Sequence, residues 1–246
     1  MASEPHRLDV AVEARGLCRS RARARDAIMR GTVKVDGKTV TKPGFRVTAQ
    51  MQIAVDDPAG DYVSRAALKL KAGLAASDID PANKTCLDLG ASTGGFSQLL
   101  LEQGAARVYA VDVGHSQLDS QIASDARIVQ LDKTNATALT TELIPEPIDL
   151  LVCDISFVSL EKVLAAPLSL CQSGTDAIIL FKPQFEVGRE HVGKGGIVSD
   201  LGAIETALTS FKTYMENEGW NDKLALPSPI KGADGNVEYL RVFSKT

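Results

Sequence analysis

The residues with the clearest capacity for chemistry lie in one glycine-rich segment, Asp88-Leu-Gly-Ala-Ser-Thr-Gly-Gly-Phe96. The segment follows the apolar residues 85–87 and leads into an apolar run at helical spacing, so it predicts a strand, a tight loop and a helix. Glycines carry no Cβ, so a backbone can approach a ligand closely there, and the first amides of the helix have no partner within it. We therefore expect the loop to bind a nucleotide-like cofactor through Asp88, Gly90, Ser92, Gly94, Gly95 and Phe96.

A second acid favours one class of cofactor. Asp112 closes the strand predicted at 107–112, where a carboxylate can accept both hydroxyls of a ribose. The loop reads Gly-x-x-x-Gly-Gly rather than the Gly-x-Gly-x-x-Gly of dinucleotide enzymes, and Asp88 stands two residues before its first glycine, as is common in methyltransferase loops. These residues favour S-adenosylmethionine over a nicotinamide dinucleotide. The dinucleotide and a purely structural turn both stay open on these residues alone.

Charged residues end two later apolar runs. Asp154 follows 148–153 and Lys182 follows 177–181, where a charge is costly unless it lies at the open rim of a sheet. In parallel α/β sheets the ligand site lies beyond the carboxyl ends of the strands. Lys69, in a helix predicted at 64–70, and Glu238, in a predicted terminal hairpin, complete a set of two lysines and two carboxylates that we expect to be catalytic.

The order of the elements around these residues predicts the fold. From about residue 64, predicted strands alternate with amphipathic segments, which indicates a doubly wound, mostly parallel α/β sheet covered on both faces. Residues 223–226 and 237–243 predict a hairpin that ends the sheet with an antiparallel strand. The strands are expected near 84–89, 107–112, 127–131, 148–153 and 176–182.

The first fifty residues differ in charge from the rest. They contain eleven Lys or Arg and five acids, a charge of +6 in a chain whose net charge is −4. Helices predicted at 7–15 and from the N-cap Ser20 to Gly31 precede a hairpin at 32–40. The chain is therefore expected to comprise a small α+β domain at 5–52, an acidic linker at 53–63 and a large domain at 64–246.

The small domain resembles an RNA-binding module first described in a protein of the small ribosomal subunit. The resemblance rests on Ser20-Arg21, on Gly31-x-Val33-x-Val35-Asp36-Gly37 and on Thr41-Lys42-Pro43-Gly44. It implies that basic side chains meet successive phosphates, which orients RNA but selects little sequence; the alternative is a solvated basic face.

Residues 183–197, too rich in glycine for a helix, are expected to form a lid. The expected RNA contacts are Arg7, Arg19, Arg21, Arg23, Arg25, Lys34 and Arg65, with Arg189 and Lys194 in the lid.

Other features exclude several classes of protein. The four cysteines form no Cys-x-x-Cys pair and the three histidines show no ligand spacing, so we expect neither a metal site nor a disulfide framework. No apolar run reaches the roughly 20 residues that span a bilayer, and the N-terminus has no hydrophobic signal core. These features predict a cytoplasmic protein without stable membrane association.

The four charged residues resemble the Lys-Asp-Lys-Glu tetrad of FtsJ-type RNA ribose 2′-O-methyltransferases. Over nearly the whole chain the order of motifs is similar to that of the TlyA family, whose members are described as rRNA methyltransferases that modify cytidines and are often labelled hemolysins. One departure is Ala66-Ala67, where the family usually has two glycines. The motifs are Tyr62-Val-Ser-Arg65, the glycine loop, Val111-Asp-Val-Gly114, Asp154-Ile-Ser-Phe157 and Lys182-Pro-Gln-Phe-Glu186.

The resemblance implies a reaction and its partners. S-adenosylmethionine would donate a methyl group to rRNA or a ribosomal subunit. By similarity to the larger methyltransferase class, residues 131–135 would lie near adenine and Asp132 would accept a hydrogen bond from its exocyclic amine; a plain loop acid is the alternative for Asp132. Methyl transfer is an in-line displacement in which a ribose hydroxyl loses its proton, and we expect Lys182 to take that proton, favoured by the second cation Lys69. A non-enzymatic RNA-binding protein for ribosome assembly stays an alternative, and a membrane-lytic protein is suggested by the family label alone.

Overall fold

The computed structural model describes residues 5–232 and 234–246. The chain divides into two compact units, Met1–Asp61 and Tyr62–Thr246. The described part of the first unit has an apolar core around Leu8 and Ile28, and the second unit has apolar clusters on both faces of its sheet. Each unit therefore has a core of its own, as independent domains do.

The first unit packs two helices against short strands. Ser20 caps the second helix, because its side chain accepts a hydrogen bond from the Arg23 amide at 3.3 Å. The first helix starts at Leu8, one residue later than its spacing predicts, because Arg7 is extended and pairs with Arg46. The elements are β1 (His6–Arg7), α1 (Leu8–Ala14), α2 (Arg21–Met29), β2 (Val33–Val35), β3 (Lys38–Thr39), β4 (Arg46–Val47) and β5 (Ile53–Val55).

Among the described residues, the second unit forms a seven-stranded sheet in the order β11-β12-β10-β9-β6-β7-β8. Strand β12 runs antiparallel to β10 and β11, whereas β10, β9, β6, β7 and β8 pair in parallel. The predicted doubly wound sheet with an antiparallel last strand is thus confirmed. The strands are β6 (Thr85–Leu89), β7 (Arg107–Val111), β8 (Ile128–Leu131), β9 (Ile148–Cys153), β10 (Cys171–Phe181), β11 (Trp220–Pro227) and β12 (Tyr239–Lys245).

Helices cover both faces of this sheet. In β6 the side chain of Cys86 belongs to one apolar cluster and those of Leu87 and Leu89 to the other, as the two-residue period of a strand requires. Leu70 and Leu99 pack on the Cys86 side, and Phe211 packs on the opposite side. The helices are α3 (Ala67–Ser77), α4 (Gly95–Glu102), α5 (Ser120–Ala123), α6 (Ala165–Ser169), α7 (Pro183–Glu186) and α8 (Leu201–Asn217).

Two local expectations are corrected. The helix expected at 64–70 begins at Ala67, because the residues before it form turns. Residues 183–197, which were expected to contain no helix, begin with α7. Its first residue is Pro183, and a proline suits the first position of a helix because its φ already has a helical value and no amide there needs a partner. Neither change moves Lys69 or Lys182 from the rim of the sheet. No helix in residues 5–232 and 234–246 is long and apolar enough to cross a membrane.

Candidate active site

The glycine loop connects β6 to α4 above a buried carboxyl group. Asp88 is fully buried, and its Oδ2 accepts a hydrogen bond from the Ser97 hydroxyl at 2.6 Å. Its Oδ1 has no hydrogen-bond partner among the described residues. Burial, together with the negative charges of Asp154 and Asp112, raises the pKa of Asp88 to about 7 against the hydrogen bonds from Ser97. Asp88 therefore lies beneath the loop and fastens it to the first turn of α4.

The loop glycines make room for other parts of the protein. A Cβ on Gly90, whose φ is +79°, would lie 3.1 Å from the backbone of Asp154. A Cβ on Gly94 would lie 2.7 Å from Leu118, and one on Gly95 would lie 2.8 Å from Cβ of Ser64. Their missing side chains let protein segments pack closely, and Gly90 and Gly95 also line a cavity.

A cavity of about 420 Å³ opens between the ends of β6, β7 and β9. Its lining is largely apolar and includes Val111, Val113 and Ile155, with Asp112 as a charged group. The Asp112 oxygens accept hydrogen bonds from the Ser92 amide at 2.8 Å and the Gly114 amide at 2.7 Å. Each carboxylate oxygen can accept a further bond, so the acid fixes the loop and still offers acceptors to a ligand.

Asp132 contacts groups of the protein itself. It is absent from the lining of this cavity, and its carboxylate accepts hydrogen bonds from the Ser116 amide at 2.7 Å and the Gln130 side chain at 2.8 Å. The Ser116 bond, followed by that from Gln130, lowers the pKa of Asp132. Asp132 therefore holds the loop after β7, while its chain neighbours Thr134 and Asn135 line the cavity.

The four expected catalytic residues form one connected row of charges. Lys182 Nζ lies 2.6 Å from Asp154 Oδ1, and Asp154 Oδ2 lies 3.6 Å from Lys69 Nζ. Lys69 Nζ in turn donates to Glu238 Oε2 at 2.7 Å. Lys69, Lys182 and Glu238 are all buried, and such charges are tolerated because each has an opposite charge beside it. Glu238 thus pairs with Lys69, whereas Asp154 contacts both lysines.

A second cavity, of about 260 Å³, contains this row. It shares Gly90, Ser92, Asp154 and Ser156 with the first cavity, so the two meet at the end of β9. Phe96 and Arg65 also line it, together with Ala66 from the pair that departs from the family pattern. Two ligands placed in the two cavities would therefore face each other beside Asp154.

Two residues at this junction were missed by the sequence reasoning. The Ser156 side chain accepts a hydrogen bond from Lys182 Nζ at 2.7 Å. Phe157 is 89% exposed and has a φ of +69°, a rare conformation for an aromatic residue, and its ring lies 5.3 Å from that of Phe185. The only sequence signal was their place directly after Asp154, because the partners lie in a distant part of the chain.

The basic residues of the first unit have unequal roles. Buried Asp9 accepts hydrogen bonds from Arg7 Nε at 2.9 Å and from Arg21 Nε at 3.0 Å. Burial acts to raise the pKa of Asp9, but the two guanidinium groups outweigh it and lower that pKa. Arg23 donates to the Ala59 carbonyl at 2.6 Å, so its guanidinium is engaged by the protein. Arg19, Arg25 and Lys34 are exposed, as are Arg189 and Lys194 in the second unit.

Metal ligation finds no support in the described part of the chain. Residues 5–232 and 234–246 contain no group of three His, Cys, Asp or Glu that could hold an ion. Burial raises the pKa of Cys86, Cys153 and Cys171 to about 12 in each case, so these thiols stay protonated at neutral pH.

Comparisons with known proteins cover both units. A model of FtsJ-like methyltransferases matches residues 62–245, and a model of the S4 domain matches residues 6–53. The 16S/23S rRNA (cytidine-2′-O)-methyltransferase TlyA of Mycobacterium tuberculosis is 42% identical over 234 residues, which are 95% of this chain and 87% of that protein. The protein of Brachyspira hyodysenteriae named Hemolysin A is 39% identical over 238 residues, 96% of this chain and 99% of that protein.

A solved structure extends the similarity to three dimensions. The structure is described as a hemolysin from Streptococcus thermophilus, and its TM-score to this chain is 0.78 at 33% identity. The match covers 100% of this chain and 90% of that one. Sequence and fold are therefore similar over the same length.

Proposed function

The chain belongs to the TlyA family of FtsJ-like methyltransferases, and on that premise we propose that it methylates the ribose 2′-hydroxyl of a cytidine in ribosomal RNA, with S-adenosylmethionine as donor. The observation that carries the proposal is the row Lys182, Asp154, Lys69 and Glu238 at the junction of two cavities. Such a junction is what a transfer between two bound molecules requires, because both reactants must be held in line.

The residues of the larger cavity fit the donor. Its volume of about 420 Å³ is within the range of roughly 300–1,000 Å³ for small-molecule sites, and its apolar walls suit an adenine ring. Asp112 would accept the ribose hydroxyls, and Thr134 or Asn135 would meet the polar edge of the base. The donor supplies a methyl carbon bound to a positively charged sulfur. Asp154 places a carboxylate at the same border, where it favours that positive charge.

Lys182 is placed to take the proton of the attacking hydroxyl. Its Nζ forms an ion pair with Asp154 Oδ1 at 2.6 Å and donates hydrogen bonds to Ser156 Oγ at 2.7 Å and to the Asp154 carbonyl at 3.1 Å. To act as the base, Lys182 must be a neutral amine, which has two N–H groups and one lone pair. The neutral amine would keep two of these contacts and turn its lone pair towards the hydroxyl. Lys182 would then take the proton as the new O–C bond forms and the donor's C–S bond breaks, so that the donor leaves as a neutral thioether.

The acceptor RNA would be held by the smaller cavity and its rim. Arg65 lines that cavity and would meet a phosphate, and the exposed ring of Phe157 offers a surface on which a base can stack. The exposed basic residues of the first unit would add phosphate contacts that orient the RNA without selecting its sequence. The substrate would thus be rRNA, free or within a ribosomal subunit, in the cytoplasm.

The test is methylation of rRNA by purified protein, with the modified ribose located by its resistance to alkaline hydrolysis. We expect Lys182→Ala to abolish the methyl transfer while the Kd for S-adenosylmethionine stays within several-fold. Lys84→Ala is the matched control, because Lys84 is ion-paired with Asp176 at 3.2 Å at the opposite end of the sheet. Retained turnover in Lys182→Ala would exclude it as the base. Failure of the wild-type protein to bind S-adenosylmethionine would favour a non-enzymatic RNA-binding role.

A further inference from the structure

Asn236 is a buried polar residue that lines neither cavity. It is 2% exposed and lies between β11 and β12, two residues before Glu238. Its Oδ1 accepts a hydrogen bond from the Val198 amide at 2.9 Å, and its Nδ2 donates to the Gly196 carbonyl at 2.8 Å. Both partners lie in the glycine-rich segment after α7. One side chain therefore joins two connections that are about 40 residues apart in the chain.

The connection that contains Asn236 also holds Glu238. The Ser228 amide donates to the Glu238 carbonyl at 2.8 Å, and the Gly232 amide donates to the Asn236 carbonyl at 2.9 Å. A Cβ on Gly232 would lie 2.6 Å from Glu238 Oε1, so the carboxylate packs directly against this connection. The position of the Glu238 carboxylate, and with it the contact to Lys69, depends on how the connection is folded.

Other polar contacts of the glycine-rich segment are with residues near it in the chain, such as His191 Nδ1 with Asp200 Oδ2 at 2.9 Å. Gly195 and Gly196 have φ of +76° and +79°, and the Gly193 amide donates to the Ile197 carbonyl at 2.9 Å within the segment itself. The segment also exposes Arg189 and Lys194 to solvent. Glycine backbones lose much entropy when they are ordered, so the two bonds from Asn236 have a large influence on this segment.

We propose that Asn236 is a positioning residue that couples the glycine-rich segment to the Lys69–Glu238 pair. The inference rests on the proposed function: when Arg189 and Lys194 bind phosphates, the two side-chain bonds of Asn236 transmit the position of the segment to Glu238. An asparagine suits this position because one side chain must accept from an amide and donate to a carbonyl at the same time. The coupling makes the arrangement of the charged row depend on RNA being in place.

The test compares Asn236→Ala with Thr175→Val in the full-length protein. Thr175 is 1% exposed and lies at the opposite end of β10 from Lys182. Its hydroxyl donates to the Ile148 carbonyl at 2.6 Å and accepts from the Gln172 amide at 3.2 Å. Both variants lose two buried side-chain hydrogen bonds, but Asn236 contacts the segment and Thr175 does not. Should Asn236→Ala fail to fold, Asn236→Asp keeps the acceptor for Val198 and loses the donor to Gly196.

The rate of trypsin cleavage after Arg189 and Lys194 measures how firmly the glycine-rich segment is held, and this measurement does not require methyl-transfer activity. We expect cleavage there to be about tenfold faster in Asn236→Ala than in Thr175→Val, and kcat for methyl transfer to be about tenfold lower, as the loss of buried hydrogen bonds implies. The Kd for S-adenosylmethionine should stay near that of the wild type, because Asn236 lines neither cavity. Equal cleavage rates in the two variants would overturn the proposal, and so would faster cleavage with unchanged kcat. A wild-type protein that transfers no methyl group would contradict the proposed function instead, and the cleavage rates would still decide whether Asn236 holds the segment.

Discussion

Asp154 is the residue that connects the row of charges that we propose to be catalytic. Its carboxylate lies 2.6 Å from Lys182 Nζ and 3.6 Å from Lys69 Nζ, so one negative charge faces two buried ammonium groups. Glu238 supplies the second negative charge and contacts Lys69. The four charges balance, which lets the group lie at a partly dry rim without an unpaired ion. Lys182 and Lys69 therefore contact the two oxygens of one carboxylate.

The buried carboxyl of Asp88 makes stability depend on pH. Burial raises its pKa from 3.8 to about 7, so the folded protein keeps a proton that the unfolded chain releases above about pH 4. The contribution of this group to the free energy of unfolding therefore falls as pH rises from about 4 to about 7, by on the order of 4 kcal/mol. We expect Asp88→Asn, whose side chain cannot ionise, to lose less stability than the wild type over this range.

Urea unfolding of the wild type and of Asp88→Asn at about pH 5 and about pH 8 measures how much stability each protein loses between the two pH values. All other titrating groups are the same in the two proteins, so the difference between the two losses reports on Asp88. The Ser97 hydroxyl can still donate to the amide oxygen of the variant, so the hydrogen bond at 2.6 Å need not be lost. Parallel losses of stability in the two proteins would show that Asp88 is ionised in the folded state throughout.

At the scale of elements, four different segments supply the four charges. Lys69 comes from α3, Asp154 follows β9, Lys182 follows β10 and Glu238 precedes β12. Strand β10 lies between β9 and β12 in the sheet, so the three strand-end residues are neighbours by topology alone. Lys69 reaches them only because α3 packs on this part of the sheet, with Leu70 in the same apolar cluster as Ile178 and Leu240. The packing of α3 thus sets one end of the row.

The substitution Gly73→Ala tests the packing of α3 on the sheet. Gly73 lies one turn after Lys69, and a Cβ there would be 2.9 Å from Cγ2 of Ile178. We expect Gly73→Ala to move α3 away from β10, with a cost of about 1–3 kcal/mol in the free energy of unfolding, offset by the roughly 1 kcal/mol that alanine gains in a helix. The methyl-transfer rate should fall as well, because Lys69 moves with the helix.

Gly202→Ala is the matched control for this variant. A Cβ on Gly202, in α8, would lie 3.5 Å from Asp200 Oδ1, which is an ordinary contact. The control should be neutral or up to about 1 kcal/mol more stable, as the helix propensity of alanine implies. Urea unfolding and the rate of methyl transfer check both variants. A Gly73→Ala protein as stable and as active as Gly202→Ala would show that α3 packing leaves the site unaffected.

Across the whole molecule, local patterns in the sequence predicted more than distant contacts did. The alternation of apolar runs with amphipathic segments was enough to predict the sheet. A charged residue directly after an apolar run was enough to predict that Asp154 and Lys182 lie at the rim of that sheet. Asp132 was expected near adenine because of the resemblance to methyltransferases, and its bond to Ser116 is a contact that local patterns do not specify. Asn236 gave no signal either, because its partners lie about 40 residues away.

The charge difference between the two units gives the last prediction. Residues 1–50 carry +6 and the remainder of the chain carries −10, so RNA affinity should come mainly from the first unit. Arg25 and Lys34 are exposed there, and each phosphate contact they make releases counterions when RNA binds. We expect Arg25→Ala/Lys34→Ala to bind an rRNA fragment more weakly, and the slope of log K against log salt to become shallower by about 1.4–1.8. Binding of S-adenosylmethionine should not change, because its cavity lies in the other unit.

Titrations of the rRNA fragment between roughly 50 and 200 mM salt measure these slopes. Lys223→Ala replaces an exposed lysine of β11, so it removes one positive charge from the second unit, and it should leave the slope unchanged. An unaltered slope in the double variant would mean that Arg25 and Lys34 face solvent in the complex. Delivery of RNA to the charged row would then have to depend on Arg65, Arg189 and Lys194 of the second unit.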